Sequence, residues 1–271
     1  LAVACARPTG TTLEQARRSG VLRIGISGER PYGYVAGSGA VTGAQPEVAR
    51  AVLARLGIGG VEAVQVRFAD LIPGLREGRF DLVAAGMAIT PPRCAEVAFT
   101  RPDFIAPPAF LVPEGNPRGI GTFQGVVRAE VRLAVIDGSA EFTYARSAGV
   151  PEDLLDVVDT QRSLFRDVVD GRSDVGALTA ISLRDELRRN PGTAVEITRS
   201  VEPTISGRTV IPAAAFAARL GETDLLIAFD TELTALHNSG EWARITEPFG
   251  LGAENLPAPD LTTAALCAPP E

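Results

Sequence analysis

Phe80-Asp81-Leu82-Val83-Ala84-Ala85-Gly86-Met87-Ala88-Ile89-Thr90-Pro91-Pro92-Arg93 reads as a buried strand that runs into a small-residue turn and ends on an arginine. The apolar run Phe80 to Ala85 is short and almost uninterrupted, the pattern of a strand covered on both faces. The turn from Gly86 to Arg93 lets backbone N–H and C=O groups face a ligand. The Arg93 guanidinium is a planar fork that grips a carboxylate through two hydrogen bonds. Together these features describe a carboxylate receptor at the end of a strand. The plainer reading is a strand–loop–helix corner with a solvated arginine.

Toward the N-terminus the same grammar repeats. Val21 to Ile26 reads as a strand after a short helix, Leu13 to Ser19. Pro46-Glu47-Val48 opens a helix, with Pro suited to its first position, and Gly57 stops it. Val64 to Phe68 alternates like a strand, and Leu71 to Gly78 reads as a helix. Alternating strands and helices predict a parallel α/β sheet.

Toward the C-terminus, Ala109 to Pro113 is a strand, and the turn-rich Glu114 to Gly119 looks like a crossing point. A second α/β unit follows. Its strands are Leu133 to Ile136, Val175 to Thr179 and Ala194 to Thr198; its helices open at Gly138-Ser139 and span Ser163 to Asp170 and Ser182 to Arg189. After Ser206-Gly207 come a strand, Ala213 to Ala217, and two amphipathic helices marked by Leu226, Phe229, Leu233 and Leu236, then by Trp242, Ile245 and Phe249. The layout predicts an α/β chain of two lobes, the second inserted into the first. Lobe 1 takes 11–112 and 208–271, and lobe 2 takes 113–207. The chain would cross near Val112 and near Gly207, and two crossings make a hinge with a ligand cleft between the lobes.

Composition narrows the function. The net charge of −7 comes from 33 acidic and 26 basic residues, every basic one an arginine. An acidic chain without a basic cluster is a poor partner for nucleic acid, and the lack of lysine removes Schiff-base and P-loop chemistry. The one histidine, His237, sits on a helix pattern and is expected at the surface; nothing clusters for a metal site. No apolar run approaches the roughly 18 residues of a membrane span. Leu1-Ala2-Val3-Ala4-Cys5 reads as the end of a signal peptide, and Cys5 resembles a bacterial lipoprotein acceptor cysteine. With Cys5 set aside, Cys94 and Cys267 remain. They either pair in an oxidising compartment, pinning the tail beside Arg93, or stay as two free thiols.

Several markers in order carry a resemblance: Leu71-Ile72-Pro73-Gly74-Leu75, Gly78-Arg79-Phe80-Asp81, the Gly86-to-Arg93 loop, Val97-Ala98-Phe99-Thr100, Gly171-Arg172-Ser173-Asp174 and Ser239-Gly240-Glu241-Trp242. From Val21 to Phe249 the chain resembles the bacterial extracytoplasmic solute-binding proteins of family 3, the polar amino-acid type. Within that family it is most similar to the members that bind ectoine and hydroxyectoine. The segments Glu29 to Tyr34, Pro46 to Arg50, Thr90 to Cys94 and Leu261 to Cys267 carry that narrower likeness.

The resemblance implies a two-lobed periplasmic-binding fold of type II. It implies a monomeric ligand-capture subunit of an ABC importer, extracytoplasmic, either periplasmic or lipid-anchored, with the importer's membrane subunits as partners. It implies no cofactor and no catalysis. The ligand would be a small zwitterion: Arg93 takes its carboxylate, Ser139 and the N–H groups after Gly138 assist from a helix start, Glu29 takes the cationic N–H groups, and Tyr32 and Phe68 face the ring. Gly86 and Ala88 line the same wall. Thr179 offers only a hydroxyl where amino-acid binders carry an aspartate for the ligand's ammonium, which counts against a plain amino acid. Ala88 replaces an aromatic wall of the ectoine binders, so Tyr34 or Phe142 fills in, or the ligand is bulkier or different. The rivals are a polar amino-acid binder and, on the same fold, a cyclic-carboxylate dehydratase with Glu29 or Glu141 as general acid.

Overall fold

The computed structural model describes residues 10–268. Cys5, the expected lipid site, lies outside the described residues.

Helix α1 (Thr12–Ser19) begins at a capping box between Thr11 and Glu14 and leads into β1 (Val21–Ile26). Then come α2 (Ala44–Arg55), β2 (Gly60–Gln65), α3 (Leu71–Arg76), β3 (Leu82–Ala88), α4 (Pro91–Cys94), β4 (Val97–Phe99) and β5 (Phe104–Ile105). The second unit holds β6 (Pro108–Pro113), α5 (Phe123–Ala129), β7 (Leu133–Ile136), α6 (Ala140–Ala148), β8 (Leu155–Val158), α7 (Gln161–Val169), β9 (Val175–Thr179), α8 (Ala180–Arg189) and β10 (Val195–Ile197). The chain returns through β11 (Ala213–Arg219), α9 (Thr223–Ser239), α10 (Glu241–Thr246) and α11 (Thr263–Cys267).

Two sheets result, one per lobe. The first is six-stranded in the order β2-β1-β3-β11-β4, with β5 also paired to β11; the second is five-stranded in the order β8-β7-β9-β6-β10. In each, the central strands are parallel and the strands entering or leaving by the crossings, β11 and β6, are antiparallel. The buried runs explain this: all four residues of β7 are buried, as are six of the seven in β11, so helices cover both faces. In β11 the side chains around Phe216 are alanines. One apolar cluster packs α2, α9 and α10 on the first sheet, and another runs from Leu71 and Phe80 in lobe 1 to Leu164 and Leu183 in lobe 2.

The chain changes sheets earlier than the sequence suggested. Phe104 and Ile105 still pair with β11, whereas Pro108 to Pro113 pair with β9 and β10, so the first crossing is Ala106-Pro107 and not Val112. The turn Glu114 to Gly119 lies inside lobe 2. The return runs through 210–212, just after a small hairpin at Thr204–Ile205 and Arg208–Thr209. The crossings are bonded to each other, Ala106 N–H donating to the Pro212 carbonyl at 2.9 Å.

Three local expectations shift. Pro46 is the third residue of α2, after a Gly43 cap. The strand expected over Val64 to Phe68 ends at Gln65, and Phe68 opens a 3-10 turn instead. The strand expected to stop at Ala85 continues to Ala88, because Ala88 and Met87 keep pairing with Ala214 and Ala215. Cys94 and Cys267 are joined in a disulfide that ties α11 to α4, the paired alternative of the two.

Candidate functional site

The C-terminal end of β3 forms one wall of a cavity between the lobes. Gly86 has φ +68°, and a Cβ there would come 2.8 Å from the Tyr32 ring, so glycine serves both the backbone and the close approach. Its N–H donates to Gln45 Oε1 at 2.8 Å. Gln45 Nε2 in turn donates to Asp103 Oδ2 at 3.1 Å, and Trp242 Nε1 donates to Asp103 Oδ1 at 2.7 Å. His237 sits in this knot, edge-on to Trp242 with ring centroids 5.5 Å apart, and its side chain is only 9% exposed where the sequence suggested a surface position.

Pro91 starts α4, a position proline favours, and the turn places Arg93 at the cavity. Arg93 Nη1 donates to the Ala88 carbonyl at 2.7 Å, and Nη2 reaches lobe 2, donating to the Gly138 carbonyl at 2.8 Å. Its guanidinium lies 5.5 Å from the Phe68 ring centroid. Among the described residues no carboxylate lies within ion-pair distance of Arg93. Burial lowers its pKa, opposed by the nearby Tyr144 and Glu141.

Glu29 and Tyr32 come from the loop after β1. Glu29 is buried, and its Oε1 accepts from the Ser182 hydroxyl of α8 at 2.5 Å. Burial pushes its carboxyl up to about 8, with the Ser182 bond opposing and the charge of Glu141 adding. Tyr32 stacks on Phe104 at 5.2 Å, and its hydroxyl shares a hydrogen bond of 2.7 Å with Thr179 Oγ1. Burial, then the charge of Glu29, raise the Tyr32 pKa.

Lobe 2 contributes two helix starts. Ser139 caps α6 by accepting the Phe142 N–H at 3.1 Å, and Thr179 caps α8 by accepting the Ser182 N–H at 3.3 Å. The first turns of α6 bring in Glu141 and Tyr144, three residues apart and so on one helix face. Burial pushes Glu141 up to about 7, against its backbone hydrogen bond, the Arg93 charge and the Ser139 hydroxyl. Tyr144 is raised by burial and then by the Glu141 charge.

The cavity is small, about 30 Å³, and is lined by Glu29, Tyr32, Phe68, Gly86, Ala88, Arg93, Ser139, Glu141, Tyr144 and Thr179, with Ala106 and Pro212 of the crossings also present. Eight of the nine ligand residues expected from the sequence are therefore brought together. Gly138 is absent from the lining; its carbonyl accepts from Arg93, and a Cβ added to it would come 3.1 Å from Ala69 Cα. Neither stand-in for the Ala88 wall serves. Tyr34 is covered by the Arg30 guanidinium 3.7 Å from its ring, and Phe142 faces Arg146. The aromatic surface on the lobe 2 side is Tyr144. The sequence does not single out Tyr144 and offers Glu141 only as the general acid of the enzyme rival, with no ligand role. Their signal was position: both sit within two turns of a helix start already assigned to the cleft.

The lobes are in direct contact around this cavity. Beyond Tyr32–Thr179, Glu29–Ser182 and Arg93–Gly138, Arg30 N–H donates to Gln161 Oε1 at 3.0 Å and Gln161 Nε2 donates to the Arg30 carbonyl at 2.9 Å. A group that meets side chains from both lobes at once stabilises this arrangement over an opened one.

Known proteins resemble this chain in sequence and in overall structure. The family of bacterial extracellular solute-binding proteins, family 3, matches residues 22–252. A probable amino-acid ABC transporter periplasmic-binding protein of Sinorhizobium fredii is 31% identical over 261 residues, 95% of this chain and 86% of that one. The crystal structure of EhuB in complex with hydroxyectoine superimposes with a TM-score of 0.85 at 35% identity, covering 94% of this chain and 97% of that one. A cyclohexadienyl dehydratase of Pseudomonas aeruginosa is 25% identical over 195 residues, 70% of this chain and 71% of that one.

Proposed function

From the premise that the chain belongs to the bacterial extracellular solute-binding proteins of family 3, we propose that its cavity captures a small cyclic zwitterion, ectoine, hydroxyectoine or a relative, for import. The protein is a periplasmic solute-binding protein of an amino-acid-type ABC transporter. It delivers a small ligand to the transporter's membrane subunits. The narrower ligand class is our reading.

One observation carries it: Arg93, a half-buried arginine with no carboxylate partner among the described residues, lines a cavity that also holds the buried carboxyl of Glu29. A cation drawn partly out of water without a counter-charge is a ready partner for an anion. A ligand carboxylate completes it through the fork, while Glu29 takes the ligand's cationic N–H groups. Tyr32 and Phe68 then face the ring; cation–π attraction is worth about 0.5–2 kcal/mol each. The hydroxyl of Thr179 is already engaged by Tyr32 and Ser182, so lobe 2 offers no carboxylate there for the ammonium of a plain amino acid. The solved EhuB complex, which holds hydroxyectoine, supports the same class.

A second reading is favoured by the two carboxyls with raised pKa, Glu29 and Glu141, since perturbed acids in a cleft are candidate catalytic groups. It makes the protein a dehydratase-like enzyme acting on a cyclic carboxylate.

Thermal-shift and calorimetric titration with ectoine, hydroxyectoine, proline betaine, arginine and glutamine decide between these readings. A ligand at 100-fold excess over Kd stabilises by about 2.7 kcal/mol, and the ectoines are expected to give that shift unchanged in composition after incubation. A shift with arginine or glutamine alone removes the compatible-solute reading and leaves transport. Chemical conversion of the ligand removes the binder-only reading.

A further inference from the structure

Glu141 has no task in a site that needs only one cation and one carboxyl, yet it is 4% exposed and lines the cavity. A carboxyl kept from water in this way is costly unless a donor meets it. Its own backbone N–H and the Ser139 hydroxyl meet it, the Ser139 oxygen accepting from Phe142 N–H in the α6 cap while its proton donates, which leaves the rest of the carboxylate's acceptor capacity to the cavity. Arg93 acts on it by charge only; no ion pair joins them among the described residues.

Position is the second observation. Glu141 lines the same cavity as Arg93 and Glu29. It is therefore within that cavity's reach of a ligand whose carboxylate lies on Arg93 and whose cationic end lies on Glu29. Tyr144, its neighbour on α6, closes the space beside it. With all three groups ionised the cavity carries one positive and two negative side chains, so a zwitterion with donors at one end only leaves a carboxyl unmatched.

We propose that Glu141 accepts a hydrogen bond from a hydroxyl beside the ligand's carboxylate-bearing carbon, and so selects hydroxylated cyclic zwitterions over those that lack the hydroxyl. This rests on the assignment of Arg93 to the ligand carboxylate. Betaines, which carry no N–H or O–H donor, fall at the bottom of the resulting order.

Ectoine and hydroxyectoine are the matched probes, since they differ by one hydroxyl beside the carboxylate-bearing carbon. Calorimetry on the wild type, Glu141→Ala and Glu141→Met is the experiment, the methionine keeping the side-chain volume. The wild type is expected to prefer hydroxyectoine by about tenfold or more, the scale of a hydrogen bond to a charged group. Both variants are expected to lose that preference, the affinity for hydroxyectoine falling by about tenfold more than that for ectoine. A purely structural role for Glu141 would weaken both ligands alike and leave their ratio standing. Equal affinities in the wild type, or a ratio that survives in both variants, overturns the role of Glu141 and leaves the proposed function intact. Failure of every zwitterion to bind the wild type overturns both.

Discussion

Arg93 reaches a carbonyl oxygen in each lobe, so it is at once a ligand group and a cross-lobe tie. Arg93→Ala is expected to raise Kd by about 100-fold or more, because truncation leaves a ligand carboxylate unpaired in a dry cleft. Calorimetry checks this; an affinity within threefold of wild type would end the carboxylate assignment. The carboxyls give a pH dependence of definite sign. Glu29 titrates near 8 and Glu141 near 7 in the folded chain, both above the ordinary glutamate value. Their neutral forms therefore stabilise the unliganded fold fully below the ordinary range, and that contribution is lost as pH rises toward 7 and 8. A cationic ligand favours the ionised form, so its binding releases protons and tightens between about pH 5 and 8. Titrations in buffers of different ionisation enthalpy should show net proton release near pH 7; uptake, or none, contradicts the pairing of Glu29 with a ligand cation.

At the level of elements, Thr179 shows how a helix cap becomes a latch. Its hydroxyl accepts the Ser182 N–H of its own helix and meets the Tyr32 hydroxyl of the other lobe. Thr179→Val keeps the shape and removes both bonds, leaving the buried Tyr32 hydroxyl without its partner. The expected cost is about 1–3 kcal/mol, visible in urea unfolding and as weaker ligand affinity; Tyr32→Phe in the same background should restore part of it. Several elements could be read directly. Val21–Ile26, Leu133–Ile136 and Val175–Thr179 have the expected bounds, because strands of a sheet covered by helices announce themselves as short, mostly apolar runs. The ends of β2 and β3 could not, since they are set by which neighbour strand continues the ladder. The same holds for the crossing at Ala106-Pro107, where one short strand gives way to another of similar composition. In the site, Arg93 and Glu29 stood out as charges after buried strands. Glu141 and Tyr144 did not, because a charge and an aromatic three apart on a helix look like any amphipathic face until the helix start is placed at the cleft.

On the scale of the whole molecule the Cys94–Cys267 bond matters most. It spans 173 residues and fixes α11 against the short helix that carries Arg93. Closing so long a loop removes about 5 kcal/mol of chain entropy from the unfolded state in the simple polymer account, and measured losses on removing such a bond run about 2–5 kcal/mol. Mild reduction is therefore expected to lower the urea midpoint and to weaken ligand binding by loosening α4. Unchanged affinity in a reduced but folded sample would separate the bond from the site. Both crossings, at 106–107 and 210–212, fall between the two cysteines. Covalently, then, the protein is a closed ring carrying two tails, with the whole of lobe 2 inside the ring. A protease that nicks the hinge, or any point in lobe 2, opens the ring without dividing the molecule. Electrophoresis would show one band without reductant and two with it, and the nicked protein would still hold its lobes on a single covalent frame.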